Sequence, residues 1–194
     1  MDFDTVSDNR INTYNWTEQI PTLEDINKII DGIHDHVPSK QRKVRFKIAV
    51  IPGHSVPELQ LAMYRGTCAD MDDIRPRYNP QVLAPWVLAF APRWTDRTVS
   101  DNYFNYEIGT EIGLAAMYSS LAAANMGMAA GFCACIQNRD EMAPLIGFKP
   151  KLYLGIGYRD PALEYYCPVY NSMEYIPDSD FDTKPCKDQY ITYV

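Results

Sequence analysis

The apolar positions near the start of the chain fall at helical spacing. In PTLEDINKIIDGIHDHVP (21–38), Leu23, Ile26, Ile29, Ile30 and Ile33 recur every three or four residues with polar residues between them, the period of one helix face. Thr22 is placed to cap this helix, Glu24 and Asp25 fill its first turn, and it must stop before Pro38. The period then changes. RFKIAVI (45–51) alternates before running apolar, as a strand does, and Pro52-Gly53 ends it. SVPELQLAMYR (55–65) reads as a helix, and 67–81, dense in charge, Pro and Asn, as loop or short helical turns. APWVLAFAP (84–92) is an apolar run between prolines with the length of a buried strand.

The longest apolar signal is NYEIGTEIGLAAMYSSLAAANMGM (105–128), rich in Ala, Leu and Met and polar only at its start. It predicts a central helix packed on most sides, with Gly127 as its C-cap. A strand at GFCACI (131–136), a helix at RDEMAPLIG (139–147) and a strand at KLYLGIGY (151–158) follow, and Pro161 closes the section. The tail is loop-rich and ends on the β-prone QYITYV (189–194). No repeat, low-complexity stretch or linker divides the chain, so one domain over 1–194 is expected. Strands scattered among helices predict an α+β fold, a sheet flanked by helices.

Composition narrows the function. A net charge of −7 argues against a general nucleic-acid binder. No apolar run approaches the ~20 residues of a membrane helix, and the acidic start MDFDTVSDNR does not read as a secretory signal. Five cysteines, Cys68, Cys133, Cys135, Cys167 and Cys186, are odd in number and irregular in spacing, so a reducing, cytoplasmic location is expected rather than a disulfide framework. Cys133 and Cys135 lack the second ligand pair that zinc requires, and His34, His36 and His54 have no ligand spacing with them and read as surface residues. No metal site is expected. On the predicted strand the two thiols would share a face, nearly 7 Å apart and beyond disulfide reach. There is no Gly-x-Gly-x-x-Gly after a strand and no Walker motif.

The order of elements resembles that of the nitroreductase family of FMN-dependent oxidoreductases. The likeness runs from about Arg10 to the C-terminus, through EIGLAAMYSSLAAANMGM, GFCACI, APLIGF and LYLGIGYRDP, with HVPSKQRKVRF matching an early Pro-Ser segment and TKPCKDQYITYV a basic segment before the last strand. The chain departs from the family pattern in two places. The N-terminal arginine-rich signature is reduced to NRINTY, with Arg10 and Asn12 remaining, and Lys-x-Arg near the end becomes Lys184, Cys186 and Lys187. The resemblance implies a mainly antiparallel sheet, with the central apolar helix at a homodimer interface. It also implies FMN as cofactor, NAD(P)H as hydride donor, and a nitroaromatic or quinone-like small-molecule acceptor used in ping-pong order.

By resemblance, Arg10, Lys184 and Lys187 are the cations for the FMN phosphate, and Pro38, Ser39, Lys40 and Arg42 reach the cofactor from the partner subunit. Cys133, Ala134 and Cys135 form the turn whose backbone faces the flavin, where the FMN atom N5 accepts hydride, and Arg77, with Arg75 and Asn79, lies in the loop that adds charge near N1. Read without the resemblance, the cations are ordinary solvated charges, 38–42 is a helix stop with a basic loop, and 129–135 is a small-residue strand packed under a helix. A non-catalytic flavin- or ligand-binding relative stays open, as does a flavin enzyme of other chemistry, such as reductive dehalogenation or flavin fragmentation.

Overall fold

Thr22 and Asp25 cap each other at the start of α2 (Leu23–His36): the Thr22 hydroxyl accepts the Asp25 N–H at 3.1 Å, and the Asp25 carboxylate accepts the Thr22 N–H at 3.2 Å. Two orphan donors of the first turn are thereby satisfied. Ile26 and Ile29 on the inner face are fully buried, each contributing about 1.5–3 kcal/mol. The structure, a computed structural model, describes residues 2–67, 78–93 and 101–160, and of 101–105 the backbone alone. A helix that the hydropathy pattern does not announce, α1 (Phe3–Asn9), precedes α2, capped by Asp2.

The sheet has four strands, β1 (Phe46–Ile51), β2 (Trp86–Pro92), β3 (Ala129–Cys133) and β4 (Leu152–Gly157), in the order β1-β2-β4-β3. Every pairing is antiparallel. Central β2 is buried from Trp86 to Ala91, as an apolar run covered on both faces must be. One face, through Phe46, Leu88, Phe90 and Leu154, packs on α2 and on α4 (Asp101–Asn125). The other, through Val87, Ala89 and Tyr153, packs on Met63 of α3 (Pro57–Arg65) and Met142 of α5 (Arg139–Ile146). The expected α+β architecture is therefore present, with each flanking helix close to its predicted bounds. The predicted closing strand 189–194 lies outside the described residues.

Two expectations need correction. The strand expected at 131–136 runs from Ala129 to Cys133. Its early start follows from how α4 ends. Gly127, at φ 75°, sits in the left-handed region, while Gly127 N–H bonds Ala124 O at 3.1 Å and Met128 N–H bonds Ala123 O at 2.9 Å. That paired closure turns the chain within two residues, so Ala129 already pairs with Gly157. Beyond Cys133 the Ile136 N–H bonds Ala134 O at 2.9 Å and the strand is over. Cys133 and Cys135 thus do not lie side by side: Cys133 is in the core and Cys135 is exposed. The second correction concerns α4. Within one chain it is covered on one side only, and Tyr106, Leu114 and Met117 are 75%, 43% and 45% exposed along its outer face.

Candidate functional site

The outer edge of β3 is occupied by the chain's own N-terminal segment. After α1 the backbone extends, and Asn12 forms a parallel bridge with Ala130. Thr13 N–H bonds Ala130 O at 2.9 Å, and the Asn12 Oδ1 accepts the Phe132 N–H at 2.8 Å. Asn12 Nδ2 donates to the Tyr14 hydroxyl at 2.9 Å, so both ends of this amide serve the edge itself. Backbone groups alternate along a strand. Along β3 this turns Ala130 and Phe132 toward the N-terminal segment, and beyond the strand's end at Cys133 both Ala134 and Cys135 are exposed. Arg10 lies at the end of α1, two residues before Asn12, and its guanidinium makes no ion pair among the described residues.

Cys133 points away from this edge into the second core. Burial, the main cause, pushes its thiol up to about 12, so it stays protonated and is no nucleophile near neutral pH. Burial likewise raises the Tyr153 phenol, whose hydroxyl has no hydrogen-bond partner among the described residues. The small residues of β3 serve packing. A Cβ on Gly131 would strike the Thr13 carbonyl, and one on its register partner Gly155 would strike the Gln81 carbonyl. The room they leave is filled by the N-terminal segment and the 3-10 turn Pro80–Leu83, not by a helix.

The opposite edge of the sheet carries the Pro-Ser segment. Pro38, Ser39 and Lys40 line a groove of about 460 Å³ against Tyr106, Glu107 and Leu114 of α4. Lys40 and Arg45 N–H donate to the two carboxylate oxygens of buried Glu111, each at 2.9 Å. The Lys40 ammonium and the Arg45 guanidinium pair with Glu107. Ser39 Oγ accepts the Val44 N–H at 3.2 Å. Arg42 is exposed and forms no ion pair among the described residues.

The structure therefore brings together Arg10, Asn12 and 133–135 at one edge, and Pro38, Ser39, Lys40 and Arg42 at the other. Register carries Cys133 across to Ala49, at the same end of the sheet as Phe46, and the two edge strands stand three strand spacings apart, about 14 Å. Between them, at the ends of β2 and β4, an apolar groove of about 280 Å³ runs under α4 past Pro92, Ile108, Ile112 and Leu152. Asn79 is spent on its own loop, since its N–H and Nδ2 both bond Thr67 at 2.9 Å. Arg75, Arg77, Lys184 and Lys187 lie outside the described residues. Glu107 and Glu111 are what a reading by residue type misses. The available signal is that Glu111 shares the helix face of Ile108, Ile112 and Ala115, all buried.

These features fit a flavin phosphate and ring in kind: a guanidinium at Arg10 without an ion pair among the described residues, exposed backbone at Ala134 and an apolar concavity under α4. Among the described residues no group of three or more His, Cys, Asp or Glu could hold a metal, and no helix is long and apolar enough to cross a membrane.

No protein-family model matches the chain, and no curated protein does. Solved structures do. A nitroreductase family protein from Streptococcus pneumoniae superposes with a TM-score of 0.65 at 15% identity, over 95% of this chain and 100% of that one. A nitroreductase family protein from Clostridium difficile gives 0.66 at 14%, over 100% and 98%. A nitroreductase with bound FMN from Desulfitobacterium hafniense gives 0.63 at 15%, over 95% and 100%. The chain has the nitroreductase fold.

Proposed function

We propose that this chain is an FMN-dependent oxidoreductase whose site is shared between two copies of one domain spanning 1–194. The observation that carries the reading is the β3 edge: Asn12 bridges Ala130 and accepts the Phe132 N–H just before the exposed turn at 134–135, and Arg10, two residues earlier, makes no ion pair among the described residues. FMN, when bound, supplies the redox chemistry, taking hydride from NAD(P)H and passing it to a nitroaromatic or quinone-like acceptor in ping-pong order.

The protein's work is binding and placement. Arg10, joined by Lys184 and Lys187 from the tail, neutralises the phosphate. Asn12 fixes the edge that leads into the 133–135 turn, whose backbone would face the ring and the charge that develops there. Arg77 adds positive charge nearby. Pro38, Ser39, Lys40 and Arg42 come from the second copy, because in one chain they sit at the opposite edge. The exposed apolar face of α4, beside the 38–40 groove, is the surface through which a homodimer would carry one edge to the other. No described side chain need act as acid or base.

The test is direct. The purified full chain should be yellow, bleach on anaerobic addition of NADH or NADPH, and regain colour with a quinone. Parallel lines in double-reciprocal plots would establish ping-pong order. A chain that holds flavin but is not bleached is a non-catalytic relative. One that bleaches but ignores quinones and nitroaromatics has other flavin chemistry. A chain that retains no flavin at saturating FMN removes the proposal altogether.

A further inference from the structure

We infer that Glu111 is a positioning residue: from the buried face of α4 it holds segment 39–45 in the strained shape in which that segment meets the cofactor. This rests on the FMN reading above and adds to it the part of the molecule that sets one half of the site. Three non-glycine residues within four positions have positive φ, Gln41 at 58°, Arg42 at 56° and Val44 at 39°. L-residues resist this region, and a β-branched residue resists it most. Such conformations persist only where their surroundings over-determine them.

The surroundings here are specific. The strained stretch is bracketed by Lys40 and Arg45, and their two backbone N–H groups are the ones that Glu111 accepts, one on each oxygen, at 2.9 Å. Within the turn itself Arg42 N–H bonds Ser39 O at 3.1 Å and Lys43 N–H bonds Lys40 O at 3.3 Å. Outside it Glu107, one helical turn before Glu111, holds the charged ends of Lys40 and Arg45. A buried carboxylate is costly unless its oxygens are bonded. Glu111 is 4% exposed and spends both oxygens on backbone 71 and 66 residues away in sequence. What this clamp leaves facing outward are Arg42 and Lys43, both exposed and without an ion pair among the described residues. An anchor serving stability alone would have no use for a strained loop. A clamp that fixes two cations and one run of backbone for a ligand does.

The experiment compares the full-length wild type with Glu111→Gln and Glu107→Gln by two readouts. The first is trypsin cleavage at Lys40, Arg42 and Lys43 without cofactor, and the second is FMN titration by quenching of flavin fluorescence. Glu111→Gln should be cut in this loop about tenfold faster and bind FMN about tenfold more weakly, the scale of one lost charged hydrogen bond. Its residual bound flavin should absorb more like free FMN, a signature that a loss of fold stability alone would not produce. Glu107→Gln should move the same readouts less. Wild-type cleavage or wild-type FMN affinity in a folded Glu111→Gln overturns the inference while leaving the FMN reading intact. If Glu111→Gln does not fold, unchanged values in Glu107→Gln overturn it equally. If the wild type itself binds no FMN, the functional reading falls and takes the inference with it.

Discussion

The two edges of the sheet are held in opposite ways. At β3 the neighbouring chain lies close because side chains are missing: Gly131 and Gly155 leave room, and the contacts are backbone bonds plus the Asn12 amide. At β1 the neighbouring segment is forced into place because side chains are present: two glutamates reach from α4 and hold three residues in left-handed conformations. One edge is a fit and the other a clamp. A fit is intolerant of added volume, whereas a clamp fails when a charge is removed. The difference suits a shared site, in which one copy offers a rigid floor and the other presses a set loop against it.

The contrast breaks first at the floor. Gly131→Val drives a branched side chain into the Thr13 carbonyl and Gln81, and should cost about 3 kcal/mol in denaturant unfolding while releasing flavin. A variant of wild-type stability would mean that the N-terminal segment is not seated there. Next comes the charge at the same edge. Arg10→Ala should weaken FMN binding by about 2 kcal/mol, the scale of one charged hydrogen bond, and leave riboflavin affinity unchanged. An equal loss for both ligands would move Arg10 from the phosphate to the ring.

Cys133 sharpens the comparison through pH. Its folded pKa, raised from 9.0 to about 12 by burial, means that above pH 9 the unfolded chain releases a proton that the folded chain keeps. Stability therefore holds below pH 9 and falls with rising pH toward 12, by about 1.4 kcal/mol per unit from this group. Cys133→Ala should flatten that slope, and the double variant Cys133→Ala, Cys135→Ala should still bind flavin and oxidise NAD(P)H. Loss of activity with flavin retained would bring the thiols into the chemistry. The smallest effect belongs to the clamp: Gln41→Gly, exposed and at φ 58°, should stabilise the protein by about 0.5–1 kcal/mol, the αL strain relieved less the entropy of glycine. Destabilisation would show that the loop is not strained.

Much of the fold is legible in the sequence and almost none of the clamp. Helix α2 announced itself through Thr22, Asp25 and the isoleucine spacing, and β2 through its apolar run between prolines. These are local signals. The bounds of β3 are not legible locally, because the cap at Gly127 turns the chain back so sharply that the strand begins at Ala129. The face of Cys133 was legible only once the strand ended at that residue. Helix α1, seven residues long with Val6 its one buried residue, carries too little apolar periodicity to be seen. Glu111 bonds partners 71 and 66 positions away, and no local pattern encodes that. Its one trace is a charge on an otherwise apolar helix face.

The central claim is that each site takes one edge from each of two copies, and subunit mixing tests it most directly. Arg10→Glu damages the floor and Arg42→Glu the loop, so neither variant alone should hold FMN. Unfolded together and refolded as a mixture, half the dimers carry one of each chain, and in those one site is intact while the other is doubly damaged. The mixture should then recover FMN binding to about a quarter of the wild-type sites, as two-fold symmetry requires. No recovery, or full binding by either variant alone, would contradict the account.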